Sequence, residues 1–344
     1  MFPIIFNLRK ILEDAIVEYI DVDFTLWLSW LLMPLLITFL LPLVIVILLY
    51  LTALILYVYK LHRLVFILST CISDKFYVII LCNFDLFNRA TLRNAYGTDW
   101  RNAARNVVAA VWDAHGWIWY GYEVVGLENI PQNEPILFVY YHGAIPIDLY
   151  YFISKILLLN SKLIHTVADR FLFKCPGWSI ISDVLKVIPG TIQTCSTILK
   201  EGNMLAISPG GVYEAQFGDS YYQLMWKKRV GFAKVALDAK VCIVPLFTKN
   251  IREAFRTISW GRRIWLRIYA ATRFPFVPIF GGFPVKLTTY VGKPILYDEN
   301  LTPEELQIKV ADALNNLINQ HQRIPGSISL ALLERVYTAE KRES

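Results

Sequence analysis

Residues 135–152 read PILFVYYHGAIPIDLYYF. Behind its proline, Ile136 to Tyr141 is a short unbroken apolar run, the pattern of a strand buried on both faces of a sheet. Beyond Pro146 the apolar content becomes helix-length, DLYYFISKILLL. The strand therefore ends at His142 and the helix carries Asp148 in its first turn. Open α/β sheets place their chemistry at such strand ends, so this stretch predicts an α/β fold, a sheet flanked by helices, with its site at this junction.

His142 and Asp148 stand in grease with five residues between them, Gly143 to Ile147. Buried polar groups need partners, and two readings are open. In one, the carboxylate fixes the tautomer of a histidine that acts as general base on a hydroxyl. In the other, His142 is a core histidine bonded to a backbone carbonyl and Asp148 is a charge suited to a helix N-terminus. No G-x-S-x-G elbow accompanies the pair, so its simplest catalytic use is direct deprotonation of an acceptor hydroxyl, without a covalent acyl-enzyme.

Similar units flank the junction. Trp100 to Trp119 has apolar residues at helical spacing, and GYEVVGLENIP alternates as a strand closed by Gly126 and Pro131. TCSTILKEG reads as a helix stopped by Gly202, MLAIS as a buried strand, PGGV as the turn at its end, GFAKVALDAK as a helix and VCIVPLF as a further strand. Thr302-Pro303-Glu304-Glu305 opens a helix with Leu306, Val310, Leu314 and Leu317 on one face. Between them RFPFVPIFGGFPVKLTTYVGKP either lines a groove for an apolar substrate or covers the core or a bilayer.

Of 344 residues, 56% are hydrophobic and 18% charged, and the mean hydropathy is +0.43. Such a chain is too apolar for an ordinary soluble enzyme. The net charge of +6 suits anionic headgroups or an anionic donor better than nucleic acid, since the cations gather on no recognisable binding helix. Five scattered cysteines without a C-x-x-C pair point to neither a metal site nor a disulfide framework, but to core residues in a reducing compartment.

From Phe24 to Tyr59 there is no charged side chain. As one helix this run would span about 54 Å against a hydrocarbon core of about 30 Å, and Pro34 and Pro42 interrupt it, so one tilted crossing or a hairpin is expected. Acidic residues precede the run, and Lys60, His62 and Arg63 follow it, which puts the C-terminal bulk in the cytosol. The expected organisation is a polar segment 1–23, a transmembrane anchor 24–60, an interfacial connector 61–94 and one catalytic domain 95–344.

The junction and its partner block carry a family resemblance. HGAIPID resembles the His-Asp motif of the phospholipid/glycerol acyltransferase family, SPGGVYEA (Ser208 to Ala215) its second Gly-containing block, and VPLF (Val244 to Phe247) its final block. WDAHG, GFAKVALDAK, NIREAFR, GGFPVKL and HQRIPG are similar to one branch of it, the transmembrane protein 68 group. The resemblance runs from about residue 95 to 337. It implies an endoplasmic-reticulum membrane enzyme with a mixed sheet, using acyl-CoA or a membrane lipid as donor and a glyceride hydroxyl as acceptor, with no bound cofactor or metal. In that scheme His142 is the base and Asp148 orients it.

Substrate contacts are expected from Gly143, Pro209, Gly210, Gly211 and Glu214, and from Arg170 or Arg252 reaching in from elsewhere. Gly210 and Gly211 let backbone N–H groups approach a donor carbonyl closely, or form an ordinary turn. Glu214 is a pocket carboxylate or a helix-start charge. Two departures stand out. The family spaces its His and Asp with four residues rather than five, an insertion the branch shares. Phosphate-using members carry a Pro-Glu-Gly-Thr-Arg-like block, whereas Pro209 to Glu214 contains no cation, which argues for a neutral mono- or diacylglycerol acceptor. Tyr213 stands where the branch usually has Arg. Arg252, Arg256, Arg262, Arg263 and Arg267 meet donor phosphates or headgroups, or form a solvated basic face. The rivals are phosphatidic acid synthesis, lipid hydrolysis and a non-catalytic lipid-binding protein.

Overall fold

A computed structural model describes residues 99–340 except 133 and 171, together with eight helical positions between Met33 and Val58. The chain divides into two compact units, Met1–Ile47 and Leu48–Ser344. The expected segments 1–23 and 61–94 and most of the anchor 24–60 lie outside the described residues. Among the described residues no helix is long and apolar enough to cross a membrane.

In chain order the second unit runs α1 (Asp99–Tyr120), β1 (Glu123–Val125), β2 (Ile136–Tyr140), α2 (Ile147–Asn160), β3 (Ile164–Ala168), α3 (Trp178–Leu185), β4 (Val187–Pro189), α4 (Ile192–Lys200) and β5 (Met204–Ile207). It continues with α5 (Gly211–Phe217), α6 (Gly231–Ala239), β6 (Cys242–Lys249), α7 (Ile251–Ala254), β7 (Phe255–Thr257), α8 (Arg262–Thr272), β8 (Ile279–Gly281), β9 (Thr288–Val291), α9 (Pro303–His321) and α10 (Ile328–Glu340). Seven strands form one sheet in the order β1-β9-β6-β2-β5-β3-β4. Only the β6–β9 pairing is antiparallel, so β1 and β9 oppose a five-stranded parallel block. The small sheet β7–β8 stands apart as an antiparallel ribbon.

The apolar run that decides the fold behaves as its composition dictates. All five residues of β2 are buried, and their side chains alternate between the two faces of the sheet. Leu137, Val139 and Tyr141 enter one core with residues of α4, α6 and α9; Ile136, Phe138 and Tyr140 enter the other with Leu149, Phe152 and Ile156 of α2. Burying each such aliphatic side chain contributes about 1.5–3 kcal/mol, and a one-residue slip of β2 would exchange every one of them between the faces.

The terminators act where expected. Gly202, at φ 85°, follows α4, and α9 begins with a capping box between Thr302 and Glu305 with Pro303 in its first turn. One detail of α9 differs. Its fully buried positions are Leu306, Val310, Leu314 and Ile318, with Leu317 only partly buried. Contacts at i, i+4 steps carry the packing stripe past Leu317.

Candidate active site

The parallel block gathers its strand ends at one edge. His142 follows β2, Arg170 follows β3, Ser208 to Gly211 follow β5 and Asn250 to Arg252 follow β6. β2 and β5 are neighbours; Leu149, Phe152 and Ile156 of α2 enter one core, while Ile147 and Tyr151 of the same helix join α6 in the other. The carboxyl ends of neighbouring parallel strands are where such sheets bind ligands, and there His142 follows β2 and Pro209-Gly210-Gly211 follow β5.

His142 is half-buried. Its Nδ1 lies 2.7 Å from the carbonyl oxygen of Gly143. A carbonyl can only accept, so in this arrangement Nδ1 carries the proton and Nε2 holds the lone pair. Burial, aided by the charge of Arg252 and opposed by the Gly143 bond, lowers its pKa to about 4. The ring is therefore neutral at physiological pH, with a free basic nitrogen. Gly143 has no room for a Cβ, which would sit 2.5 Å from Cγ1 of Ile251.

Asp148 is buried in the first turn of α2. Burial raises its carboxyl to about 6, against hydrogen bonds from Thr248 and from the amides of Leu149 and Asp148 itself. Thr248 also bonds Thr289 at 2.8 Å, and Thr289 bonds Tyr122 at 2.8 Å. With a carboxylate at one end, the chain of hydroxyls is directed: Tyr122 donates to Thr289, Thr289 to Thr248 and Thr248 to Asp148. Oδ1 of Asp148 is buried without a partner. The imidazole thus makes its hydrogen bond to the Gly143 carbonyl and not to Asp148, while the aspartate keeps one acceptor open.

Glu214 is completely buried and braces the His142 strand end. Oε2 accepts the His142 N–H at 3.0 Å and Oε1 the Met225 N–H at 2.9 Å. Desolvation raises it to about 6, with those two amides, Arg252 and Arg229 pulling the other way. A Cβ on Gly210 would strike the Glu214 side chain, and Gly211 takes a φ of 50°, so each glycine of the turn answers a steric demand. The Gly211 N–H points to Ser208 Oγ at 3.3 Å.

Arg252 has a different part from the one expected of it. It is 1% exposed. Nε donates to Tyr141 Oη at 2.9 Å. Nη1 donates to the carbonyls of Ala215 at 3.1 Å and Gly218 at 3.0 Å, and Nη2 to those of His142 at 2.9 Å and Glu214 at 2.5 Å. All five guanidinium donors are engaged within the chain, so Arg252 clamps the His142 strand end to the C-terminal end of α5 and offers no donor to a phosphate. Arg256 pairs with Glu253 at 3.1 Å, while Arg170 is exposed at the β3 end of the same edge. The five arginines grouped by sequence thus part company, for Arg262, Arg263 and Arg267 lie exposed on α8.

Sequence reasoning missed Arg229, whose Nη1 donates to the carbonyls of Pro209 at 3.0 Å and Gly210 at 2.8 Å. The block has no cation of its own, yet the fold supplies one from a KKR run just before α6. Tyr213 lies under Lys227 Nζ, 4.2 Å from the ring centroid, so the position holding Tyr instead of Arg still faces a cation. Cys195 and Cys242 are buried with thiols pushed up, which leaves them inert as nucleophiles.

A family model described as Acyltransferase matches residues 121–249, which span β2, the glycine turn and β6. The chain is 51% identical over 250 residues to a Bos taurus protein named "DGAT1/2-independent enzyme synthesizing storage lipids", covering 73% of this chain and 75% of that one. It is 42% identical to the Gallus gallus protein of the same name, over 92% and 87% of the two chains, and 30% identical to a Mus musculus 2-acylglycerol O-acyltransferase 1, over 35% and 43%. Among solved structures it is similar to a 1-acyl-sn-glycerophosphate acyltransferase from Thermotoga maritima, at 20% identity and a TM-score of 0.44, over 76% of this chain and 98% of that one. The chain accordingly belongs to the acyltransferase family, as an acyl-transferring enzyme of the glycerolipid group and a relative of the storage-lipid-synthesizing enzymes.

Proposed function

We propose that the chain moves a fatty acyl group from acyl-CoA, or from a membrane lipid, to the hydroxyl of a mono- or diacylglycerol, yielding neutral glycerolipid such as triacylglycerol. The acceptor oxygen attacks the acyl carbonyl as His142 Nε2 takes its proton; the donor's leaving group departs and recovers a proton. Asp148 orients the imidazole and steadies the cation that forms. The observation that supports this reading is a neutral His142 with Nε2 unoccupied and, on the same strand-to-helix junction, a buried Asp148 with an unpartnered oxygen. In this scheme the imidazolium that forms turns its Nδ1–H from the Gly143 carbonyl to that carboxylate.

Arg170 and the turn Pro209-Gly210-Gly211 are assigned to the donor side, with Gly143 holding the histidine's ring and Glu214 its backbone N–H. The apolar run 24–60 is assigned as the anchor, in the endoplasmic-reticulum membrane with the catalytic unit toward the cytosol. The names of the relatives, a storage-lipid synthesizing enzyme and a 2-acylglycerol O-acyltransferase, support a neutral acceptor.

Purified His142→Ala, shown to be folded, is expected to lose transfer by roughly 100-fold or more, and near-normal transfer would remove His142 from the mechanism. Because Arg229 brings a cation to the turn, a phosphate-bearing acceptor is the reading to test against. Preference for lysophosphatidic acid over diacylglycerol would overturn the neutral acceptor. Fatty acid released at one rate with and without diacylglycerol would mark a hydrolase instead.

A further inference from the structure

Between β7 and β8 the chain leaves the body of the sheet as a ribbon tipped by α8. No residue of this eleven-residue helix is buried. From Ile258 to Gly281 the sequence has four arginines and no acidic residue. Large apolar side chains stand open along it: Trp260 is 79% exposed, Ile264 57% and Phe276 54%. Ile264, Arg267 and Ala271 fall at three- and four-residue steps on the exposed side of the helix. The opposite side is anchored, for Tyr269 stacks near Tyr213 and Phe217, at 6.4 and 5.9 Å between ring centroids, and Arg262 lies over Phe217.

An element of this kind is unstable as a bare aqueous surface and suited to a bilayer interface, where arginines meet phosphates and the indole and aliphatic groups enter the headgroup boundary. A protein groove would require acidic partners for four arginines, and a second copy of this surface would bring like charges together. We infer that α8 and its ribbon dock the catalytic unit on an anionic phospholipid surface. Tyr213 and Phe217 belong to α5, the helix that also carries Glu214, which bonds the His142 N–H, so the docked face adjoins the His142 strand end. A glyceride dissolved in the bilayer then reaches His142 without crossing bulk water, a consequence that rests on the proposed acceptor; the docking itself does not.

The test uses the full chain in vesicles of phosphatidylcholine alone or with added phosphatidylserine, read by hydrogen exchange. Peptides covering 258–281 are expected to exchange roughly tenfold more slowly when phosphatidylserine is present, while peptides of α9 stay unchanged. The double variant Arg263→Glu, Arg267→Glu is expected to keep its thermal transition and lose that protection. Its transfer to membrane-dissolved diacylglycerol should fall roughly tenfold, with transfer to a short-chain, water-soluble glyceride retained. Exchange in 258–281 that ignores phosphatidylserine overturns the docking even if transfer is normal, and protection that follows protein concentration overturns it in favour of a second copy. Equal loss of transfer to both acceptors, with protection intact, would assign the two arginines to the site itself and also sink the inference.

Discussion

At the carboxyl edge of the sheet one arginine, 1% exposed, has every donor engaged, whereas three arginines on α8 belong to a helix that buries nothing. The same side chain does opposite work in the two places. Arg252 holds a histidine's backbone still from a buried position, where an unpaired cation would be costly. Arg263 and Arg267 stay exposed, available to charge on another surface. Position in the fold, not residue type, decides whether a cation is scaffold or contact.

Substitutions can break this contrast, and the largest effect is at the base itself: His142→Ala should lower transfer by roughly 100-fold or more while stability barely moves. Next, Arg252→Met strands four carbonyls and the Tyr141 hydroxyl and should cost about 3 kcal/mol or more in chemical denaturation. Arg263→Ala should stay within about 0.5 kcal/mol in the same assay. Similar losses in the two variants would erase the distinction between clamp and contact.

A third effect is visible in pH. Asp148 and Glu214 are raised from their ordinary 3.8 and 4.5 to about 6, so transfer should show an acid limb near 6, falling about tenfold one unit below it. The limb should vanish in Asp148→Asn and persist in Glu214→Gln; a limb unmoved in Asp148→Asn would free the aspartate of its role. Stability follows by linkage. The folded chain holds more protons than the unfolded chain between those ordinary values and about 6, so these two carboxylates cost stability above 6 and the cost is relieved as pH falls. His142, lowered to about 4, opposes them between about 4 and 6.5. Gly143→Ala, forced against Ile251, should cost about 1–3 kcal/mol and disturb transfer together with stability. Smallest of all, Thr302→Ala should remove the α9 cap for about 1 kcal/mol and leave transfer untouched.

The sequence made β2, α2, the Gly210-Gly211 turn and the start of α9 readable, because each rests on local grammar: an unbroken apolar run, a helical period, a cap. Asp148 fell in the first helical turn as spacing required. The contacts that organise the site were not readable, since they join residues far apart in the chain. Glu214 reaches the His142 amide across 72 positions and Arg252 reaches its carbonyl across 110. The absence of a cation within Pro209 to Glu214 was true of the sequence and untrue of the space around it, where Arg229 arrives from another element. β3, β4 and α8 escaped notice for a simpler reason. β4 is three residues of intermediate exposure, β3 alternates in burial around a histidine, and α8, though amphipathic, buries none of its side chains.

The clamp at Arg252 also sets a clock on biosynthesis. Its guanidinium binds the His142 carbonyl, made more than a hundred residues earlier, and it enters only with the end of β6. A nascent chain that has already formed β2, α2 and the glycine turn therefore has the histidine but not the geometry that holds it. Competence arrives after residue 252 has cleared the ribosome and the sheet has closed around it, so a fragment ending sooner would possess the motif and lack the enzyme.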